Sequence, residues 1–354
     1  MLIRFSVENF KSFNDRQELV MIPAKKLKTN KEHVIAFNKV SLLRNATIYG
    51  ANASGKTNII DAIRFAKHVI TKKIPMEASK MYCRVFSENQ EKKSKFEFEI
   101  YKNGKFYAYG FSLLMSEQII KSEWLYELLP SKNIQTMLFE RETDNNRLEL
   151  GENLILDEID TMRFKTYKLD FEDNNTGLFI REMNRNKKMN KESKLTFFRD
   201  VFEWFDEDLV TIFPDQPITD FEFSEESDGT RRLFDLLDIL ISNEKNKIYV
   251  IDELERSLHP KLTYKFLELF FEHLKDNNTQ LIFTTHESTI MDQELLRRDE
   301  IWFVERNKDN GSHIYSLDRF KERYDKKLSK AYLEGRYGAV PVLKNFSDMV
   351  GDDE

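Results

Sequence analysis

Cysteine is almost absent: Cys83 is the only one in 354 residues. A single thiol can form neither an internal disulfide nor a cysteine-based metal cluster. Long apolar runs are missing too, and no segment approaches the roughly 20 consecutive apolar residues of a bilayer-spanning helix. The opening Met1-Leu2-Ile3-Arg4-Phe5 has no basic start, apolar stretch or small-residue cleavage site, so no signal peptide is expected. The expectation is a cytoplasmic protein with no membrane partner. Positive charge is not in excess: 55 Lys and Arg stand against 61 Asp and Glu, a net −6. That balance excludes a surface that is a nucleic-acid footprint throughout, but not a local basic patch. Internal repeats and low-complexity tracts are absent as well. Phenylalanine is plentiful, with 29 in a chain that is 40% hydrophobic, which supplies a core and argues against global disorder. The length fits one large α/β domain with an inserted subdomain, or two modest domains.

Hydrophobic periodicity divides the chain. Ile3, Phe5 and Val7 alternate as in a half-buried strand. Asn45 to Tyr49 reads as a short apolar strand ending at Gly50, and Ile59, Ile60, Ile63 and Ala66 recur at helical spacing from about Lys56 to Thr71. Phe96, Phe98 and Ile100 alternate before Asn103-Gly104, a type I′ turn pair, and Phe106 to Leu114 returns as the second arm of a hairpin. From about Lys121 to Asp215 polar, charged and aromatic residues mix, with helical stretches such as Lys194 to Phe205. Patterning resumes after Pro217: a helical face at Leu233 to Ile241, a buried strand at Ile248 to Ile251, an amphipathic helix at Thr263 to Leu274 and a buried strand at Leu281 to Thr284. Alternating strands and helices imply a mostly parallel sheet. Ile301 to Val304 reads as its last strand, followed by a charged tail and a disordered acidic end, Gly351 to Glu354. Arg181 to Lys194, with Arg185, Lys187, Lys188 and Lys191 between, is either a solvated face or a nucleic-acid contact.

Gly50-Ala51-Asn52-Ala53-Ser54-Gly55-Lys56-Thr57 matches the phosphate loop G-x-x-x-x-G-K-[ST], between a predicted strand and a predicted helix. Glycines let the backbone curl so that N–H groups converge on phosphate oxygens, and the helix start adds a positive dipole end. Lys56 is the point charge for the β- and γ-phosphates, and the Thr57 hydroxyl a ligand for Mg²⁺. Asn58 is placed in the same nucleotide-binding set. Ile248 to Ile251 ends in Asp252-Glu253, two carboxylates at a strand's C-terminal edge, where ligands bind in open α/β sheets. Asp252 is the second Mg²⁺ residue, and Glu253 is placed to polarise an attacking water. Glu226-Ser227-Asp228-Gly229-Thr230 precedes a helix and, taken alone, reads as a helix cap more readily than as an anion site. Leu254 to Pro260 follows the carboxylates, and Leu281-Ile282-Phe283-Thr284-Thr285-His286 ends a strand with a histidine.

Taken together, the phosphate loop, the S-x-G turn, the D-E strand with L-H-P after it and the T-T-H end resemble an ABC-type ATPase head of the SMC/RecF/OLD superfamily. Val7-Glu8-Asn9-Phe10-Lys11-Ser12-Phe13 is similar to the N-F-[KR]-S-F opening of those heads. More narrowly, Ser227 to Leu233, Asp252 to Glu255 and the Tyr332 to Pro341 tail resemble stand-alone phage-defence ATPases, the AbiLi/RloA-like proteins and their PARIS and Septu relatives. The resemblance spans about two thirds of the chain. It implies ATP and Mg²⁺ as ligands, ATP hydrolysis, and a head-to-head dimer or larger assembly in which Ser227 and Gly229 contact the γ-phosphate held by the second copy. It also implies that His286 is the catalytic switch histidine beside Glu253, and that Ser257 to His259 crosses the dimer interface. Two departures stand out. Asp228 replaces the signature's usual first glycine, and no residue stands out as the family's Q-loop glutamine: Gln90 is a candidate but sits in a polar, unpatterned stretch.

The expected fold is therefore an α/β, ABC-type P-loop head with a mixed sheet and an antiparallel β-subdomain. Residues 1–120 form the first lobe and 121–215 a mostly helical insertion. The second lobe spans 216–320, and 321–354 is a tail. The expected function is a dimerising ATPase that senses infection in an anti-phage system and controls a separate effector, commonly a nuclease. The alternatives are a RecF- or SMC-like DNA-maintenance ATPase, for which 121–215 is too short and lacks sustained heptads, and a non-catalytic ATP-binding scaffold.

Overall fold

The computed structural model describes residues 1–37, 40–130, 132–171, 173–185, 190, 192–213, 227–320 and 327–340. Two sheets face each other across a shared core. The first is antiparallel, ordered β10-β9-β8-β7-β6-β1-β2, from β1 (Leu2–Glu8), β2 (Gln17–Val20), β6 (Ser94–Lys102), β7 (Lys105–Leu114), β8 (Ile119–Leu129), β9 (Ile134–Glu142) and β10 (Arg147–Leu150). A hairpin of β3 (Val34–Phe37) and β4 (Val40–Leu43) stands apart. The second sheet runs β11-β12-β13-β5-β14-β15, from β5 (Asn45–Tyr49), β11 (Leu209–Ile212), β12 (Ile248–Ile251), β13 (Gln280–Thr284), β14 (Ile301–Arg306) and β15 (Ser312–Ser316). All its pairings are parallel except β14 with β15. Strand β14 is thus not the last of the head, as the sequence suggested: Asn307 to Gly311 turns the chain back into one more strand.

Helix α1 (Lys56–Thr71) has the bounds its periodicity predicts and buries Ile59, Ile60, Ile63 and Ala66 in the main core. Phe65 joins Phe10 and Phe96 there, with ring centroids 5.2–5.4 Å apart; burying each such side chain stabilises by about 1.5–3 kcal/mol. The hairpin turn is at Asn103-Gly104, both at positive φ (50° and 84°), as a I′ turn requires. The alternation at the start of the chain is broken by a bulge between Leu2 and Arg4. Ile3 therefore joins Met1, Ile35 and Leu42 in a separate small cluster, while Phe5 and Val7 enter the main core.

The stretch expected to be a mostly helical insertion is corrected in its first third. Residues 119–150 are β8, β9 and β10, and the boundary expected at 121 falls inside a strand. The reason is a buried carboxylate where alternation calls for an apolar residue. Glu123 is fully buried on β8 and accepts the N–H of Phe179 and of Ile180 (2.6 and 2.9 Å) and the Tyr109 hydroxyl (3.0 Å). Among the described residues of the remainder stand α2 (Glu158–Phe171), α3 (Phe179–Asn184) and α4 (Thr196–Glu203), the last running into a π-helical turn, Trp204–Asp208, that leads into β11. The other helices are α5 (Asp228–Ile241), α6 (Pro260–His273) and α7 (Leu328–Leu333). In the tail, Tyr332 and Tyr337 stack on Phe303. The acidic end expected to be disordered, Gly351 to Glu354, lies outside the described residues, as do Lys187, Lys188 and Lys191 of the basic stretch. Among the described residues no helix is long and apolar enough to cross a membrane.

Candidate functional site

Parallel pairing brings the C-terminal ends of three strands to one edge: Phe283 lies opposite both Ile251 and Thr47, and Thr284 opposite Ile48. Three loops therefore gather there: Gly50 to Thr57 after β5, Asp252-Glu253 after β12 and Thr285-His286 after β13.

The loop after β5 is built for close approach. A Cβ on Gly50 would stand 2.5 Å from the Val304 carbonyl oxygen. One on Gly55, whose φ is 109°, would stand 2.5 and 2.6 Å from the hydroxyls of Ser312 and Ser12. Ala53 takes φ 60°, and its carbonyl accepts from Arg306 Nε at 2.8 Å. Helix α1 has no side-chain cap and no acidic residue in its first turn. Its opening N–H groups thus have no side-chain acceptor of their own, the arrangement that suits an anion. Lys56, 6% exposed, donates to the carbonyls of Gly50 (2.8 Å) and Ala51 (3.1 Å). Burial pushes its ammonium down to about 8, against the pull of Glu255, Asp252 and Glu253.

Asp252 is buried, and burial raises its carboxyl above the usual range. It accepts the Thr284 hydroxyl at 2.6 Å, and the Thr57 side chain acts on it to favour the charged form. One hydroxyl and one carboxylate near each other at the mouth of this loop fit Mg²⁺, which is held by one or two protein oxygens and completes its shell with water and phosphate. Glu253 adopts φ 48°, a left-handed conformation that turns the chain sharply after Asp252, and its N–H is held by Thr284 Oγ1 at 2.8 Å. Its carboxylate stays partly open, 3.9 Å from Arg256. His286 is exposed at the rim, its N–H donated to Glu255 Oε1 at 2.6 Å. Partial burial of the ring and the Lys56 charge lower its pKa from the usual imidazole value.

The S-x-G turn is the start of α5. Ser227 Oγ accepts the Thr230 N–H (3.2 Å) and pairs with the Thr230 hydroxyl (2.9 Å), so in a single head this serine is a helix cap. A Cβ on Gly229 would meet the Ser257 carbonyl oxygen at 2.7 Å, so the turn presses on the loop after Glu253. Arg232, buried, donates to the carbonyls of Asp252 (3.3 Å) and Glu253 (3.2 Å). Asp228 is ion-paired with Arg231 at 2.7 Å, which screens the charge that departs from the usual signature. His259 and Pro260 start α6, the imidazole accepting the Lys261 N–H. Gln90 is exposed in a 3-10 turn, against Tyr82 (3.4 Å).

Several residues of this neighbourhood have a role that the sequence does not announce. Asn58 groups with the nucleotide by sequence, but its amide donates to Ser12 Oγ at 2.8 Å. Ser12 in turn accepts the Ser312 N–H on its carbonyl (2.7 Å), and Ser312 donates to the Ser54 carbonyl. The N-F-K-S-F opening thus braces the phosphate loop from outside. Thr284 and Glu255 stand in recognisable motifs, whereas nothing local marks Ser312, which arrives through the extra strand β15.

A family model described as "AAA domain, putative AbiEii toxin, Type IV TA system" matches residues 46–175 and 184–292. No curated protein matches. Among solved structures, the SmcHead bound to the C-winged helix domain of ScpA is similar at 17% identity, covering 93% of this chain and 99% of that one with a TM-score of 0.45. The SMC head domain from Thermotoga maritima is similar at 16% identity, covering 89% and 98%, with a TM-score of 0.39.

Proposed function

Since this chain belongs to the family of AAA domains described as putative AbiEii toxins of type IV toxin–antitoxin systems, an ATPase type of domain, we propose that it binds ATP with Mg²⁺ and hydrolyses it, and that two copies pair to complete each site. One observation supports this above the others. Strands far apart in sequence deliver the loop Gly50 to Thr57, the buried Asp252 carboxylate, a partly open glutamate and a histidine to one sheet edge.

In this reading the N–H groups of residues 50–57 cradle the phosphates, and Lys56 exchanges its two carbonyl partners for phosphate oxygens. Thr57 and Asp252 hold Mg²⁺, which neutralises charge developing on the phosphate oxygens. Glu253 orients and polarises the attacking water, and His286 faces the γ-phosphate. Ser227, with Gly229 and the start of α5, serves the nucleotide of the second copy, the Ser227 hydroxyl then leaving Thr230, its partner among the described residues.

The role we infer is that of a regulator in an anti-phage system acting on a separate effector, commonly a nuclease in the defence ATPases this chain resembles. Co-expression with the neighbouring reading frame, followed by purification in ATP and in ADP, tests it. Recovery of a nuclease whose association depends on the nucleotide is expected, and an ATPase that never retains that product overturns the role. The ATPase itself is tested by a nucleotide titration and a phosphate-release assay on the wild-type chain; a protein that binds no ATP overturns the site.

A further inference from the structure

The sheet ladder between β12 and β13 ends where the catalytic loops begin. Its last main-chain rung is Leu254 N–H to the Thr284 carbonyl (3.1 Å), beside Glu253 N–H to Thr284 Oγ1 (2.8 Å). On the other flank, Thr285 N–H still pairs with the Ile48 carbonyl of β5 (3.0 Å). The next N–H, that of His286, lies past the ladder, and it is taken by a side chain, Glu255 Oε1, at 2.6 Å. The second oxygen, Oε2, is buried with no hydrogen-bond partner. The carboxylate's charge also acts on Lys56, Tyr49 and Arg232. Glu255 is half-buried, and among the described residues the carboxylate's one hydrogen bond is to a backbone N–H, with its other oxygen enclosed.

We propose that Glu255 is a positioning residue for ATP hydrolysis, hanging the His286 turn on the loop that carries Glu253. The proposal rests on the ATPase reading above. Successive residues 253, 254 and 255 are then each tied to 284 or 286, so the water-orienting glutamate and the γ-phosphate histidine keep one relative placement. Misplacement of a catalytic group by about 1 Å costs on the order of 10²-fold in rate, so the link acts on turnover and not on nucleotide affinity.

Two side chains separate the acceptor from the charge. Glu255→Gln keeps an oxygen at the same reach and loses the charge, whereas Glu255→Asp keeps the charge and withdraws the oxygen by one methylene. Positioning through the His286 N–H predicts that Glu255→Asp and Glu255→Ala lower kcat by about 10- to 100-fold with the Kd for ATP within about twofold, and that Glu255→Gln recovers most of the rate. It also predicts that Glu255→Ala in a His286→Ala background is no slower than His286→Ala alone, since residues acting as one unit are not additive. Amide hydrogen exchange, read without nucleotide, should show faster exchange at His286 in Glu255→Asp with Thr284 unchanged. The proposal is overturned if Glu255→Gln is as slow as Glu255→Asp in protein that binds ATP normally, or if the His286 amide exchanges as in wild type. A wild-type chain that never turns ATP over sinks the ATPase reading instead, and the exchange measurement still decides whether Glu255 holds the turn.

Discussion

Lys56 shows how a residue prepares a site before its ligand arrives. Its ammonium is buried and held by two carbonyls of its own loop, with three carboxylates acting on it from a distance. Among the described residues no salt bridge fixes it, so phosphate oxygens would compete there against neutral carbonyl acceptors. Lys56→Ala removes that cation, and a calorimetric titration with ATP should find no binding; unchanged affinity would discard the site. Glu253 is partly open and turned outward by its left-handed backbone. Glu253→Gln should bind ATP as wild type does and hydrolyse it about 10²- to 10⁴-fold more slowly, the range of a lost general base. Phosphate release with undiminished kcat would show that another group orients the water.

Among the elements, helix α5 and the loop after β12 behave as one unit, because Arg232 is bound to the carbonyls of Asp252 and Glu253 while Gly229 lies against Ser257. The obstacle facing a Cβ at 229 is a backbone oxygen, which cannot rotate away as a flexible side chain can. Gly229→Ala should therefore push α5 off this loop, lowering turnover at least tenfold with little change in ATP affinity. Gly104→Ala is the contrast: its φ is 84° but a Cβ there meets nothing within 4 Å. It should cost on the order of 1 kcal/mol of backbone strain, visible in a thermal melt, and leave turnover alone. The junction of β8 with α3 is a further test of elements. Glu123→Ala leaves two buried N–H groups without their acceptor, at about 1–3 kcal/mol each. A fall in Tm of several degrees with ATP binding retained is expected, and an unchanged melt would mean that the carboxylate does not hold the sheet to the helix.

For the molecule as a whole, the question is whether a head acts alone. Ser227 is a sound helix cap within one head, so its serine hydroxyl alone does not distinguish a cap from a group serving a second copy. Ser227→Arg does distinguish them. It should leave ATP binding by a single head intact while abolishing turnover and ATP-dependent pairing. Mixing it with Glu253→Gln protein should restore part of the wild-type rate, since one of the two composite sites in a mixed dimer is then whole. Normal hydrolysis by Ser227→Arg at a rate per head independent of protein concentration would remove the pairing mechanism.

Elements written in contiguous residues were legible without a structure. The strand leading to Asp252-Glu253, the helix from Lys56 to Thr71 and the hairpin through Asn103-Gly104 each depend on local backbone geometry or short-range periodicity, and they stand in the folded chain where the sequence puts them. Where a buried polar group replaces an apolar one, periodicity misleads, which is why Glu123 concealed β8 and the strands after it. The braces of the site were decided only by the tertiary structure. Ser12 meets Ser312 across 300 positions of sequence, and Glu255 reaches the His286 amide only because β12 and β13 lie side by side in one register. A hydrogen bond between residues far apart in sequence leaves no local pattern. It exists because a parallel sheet aligns the ends of its strands, and that alignment belongs to the fold.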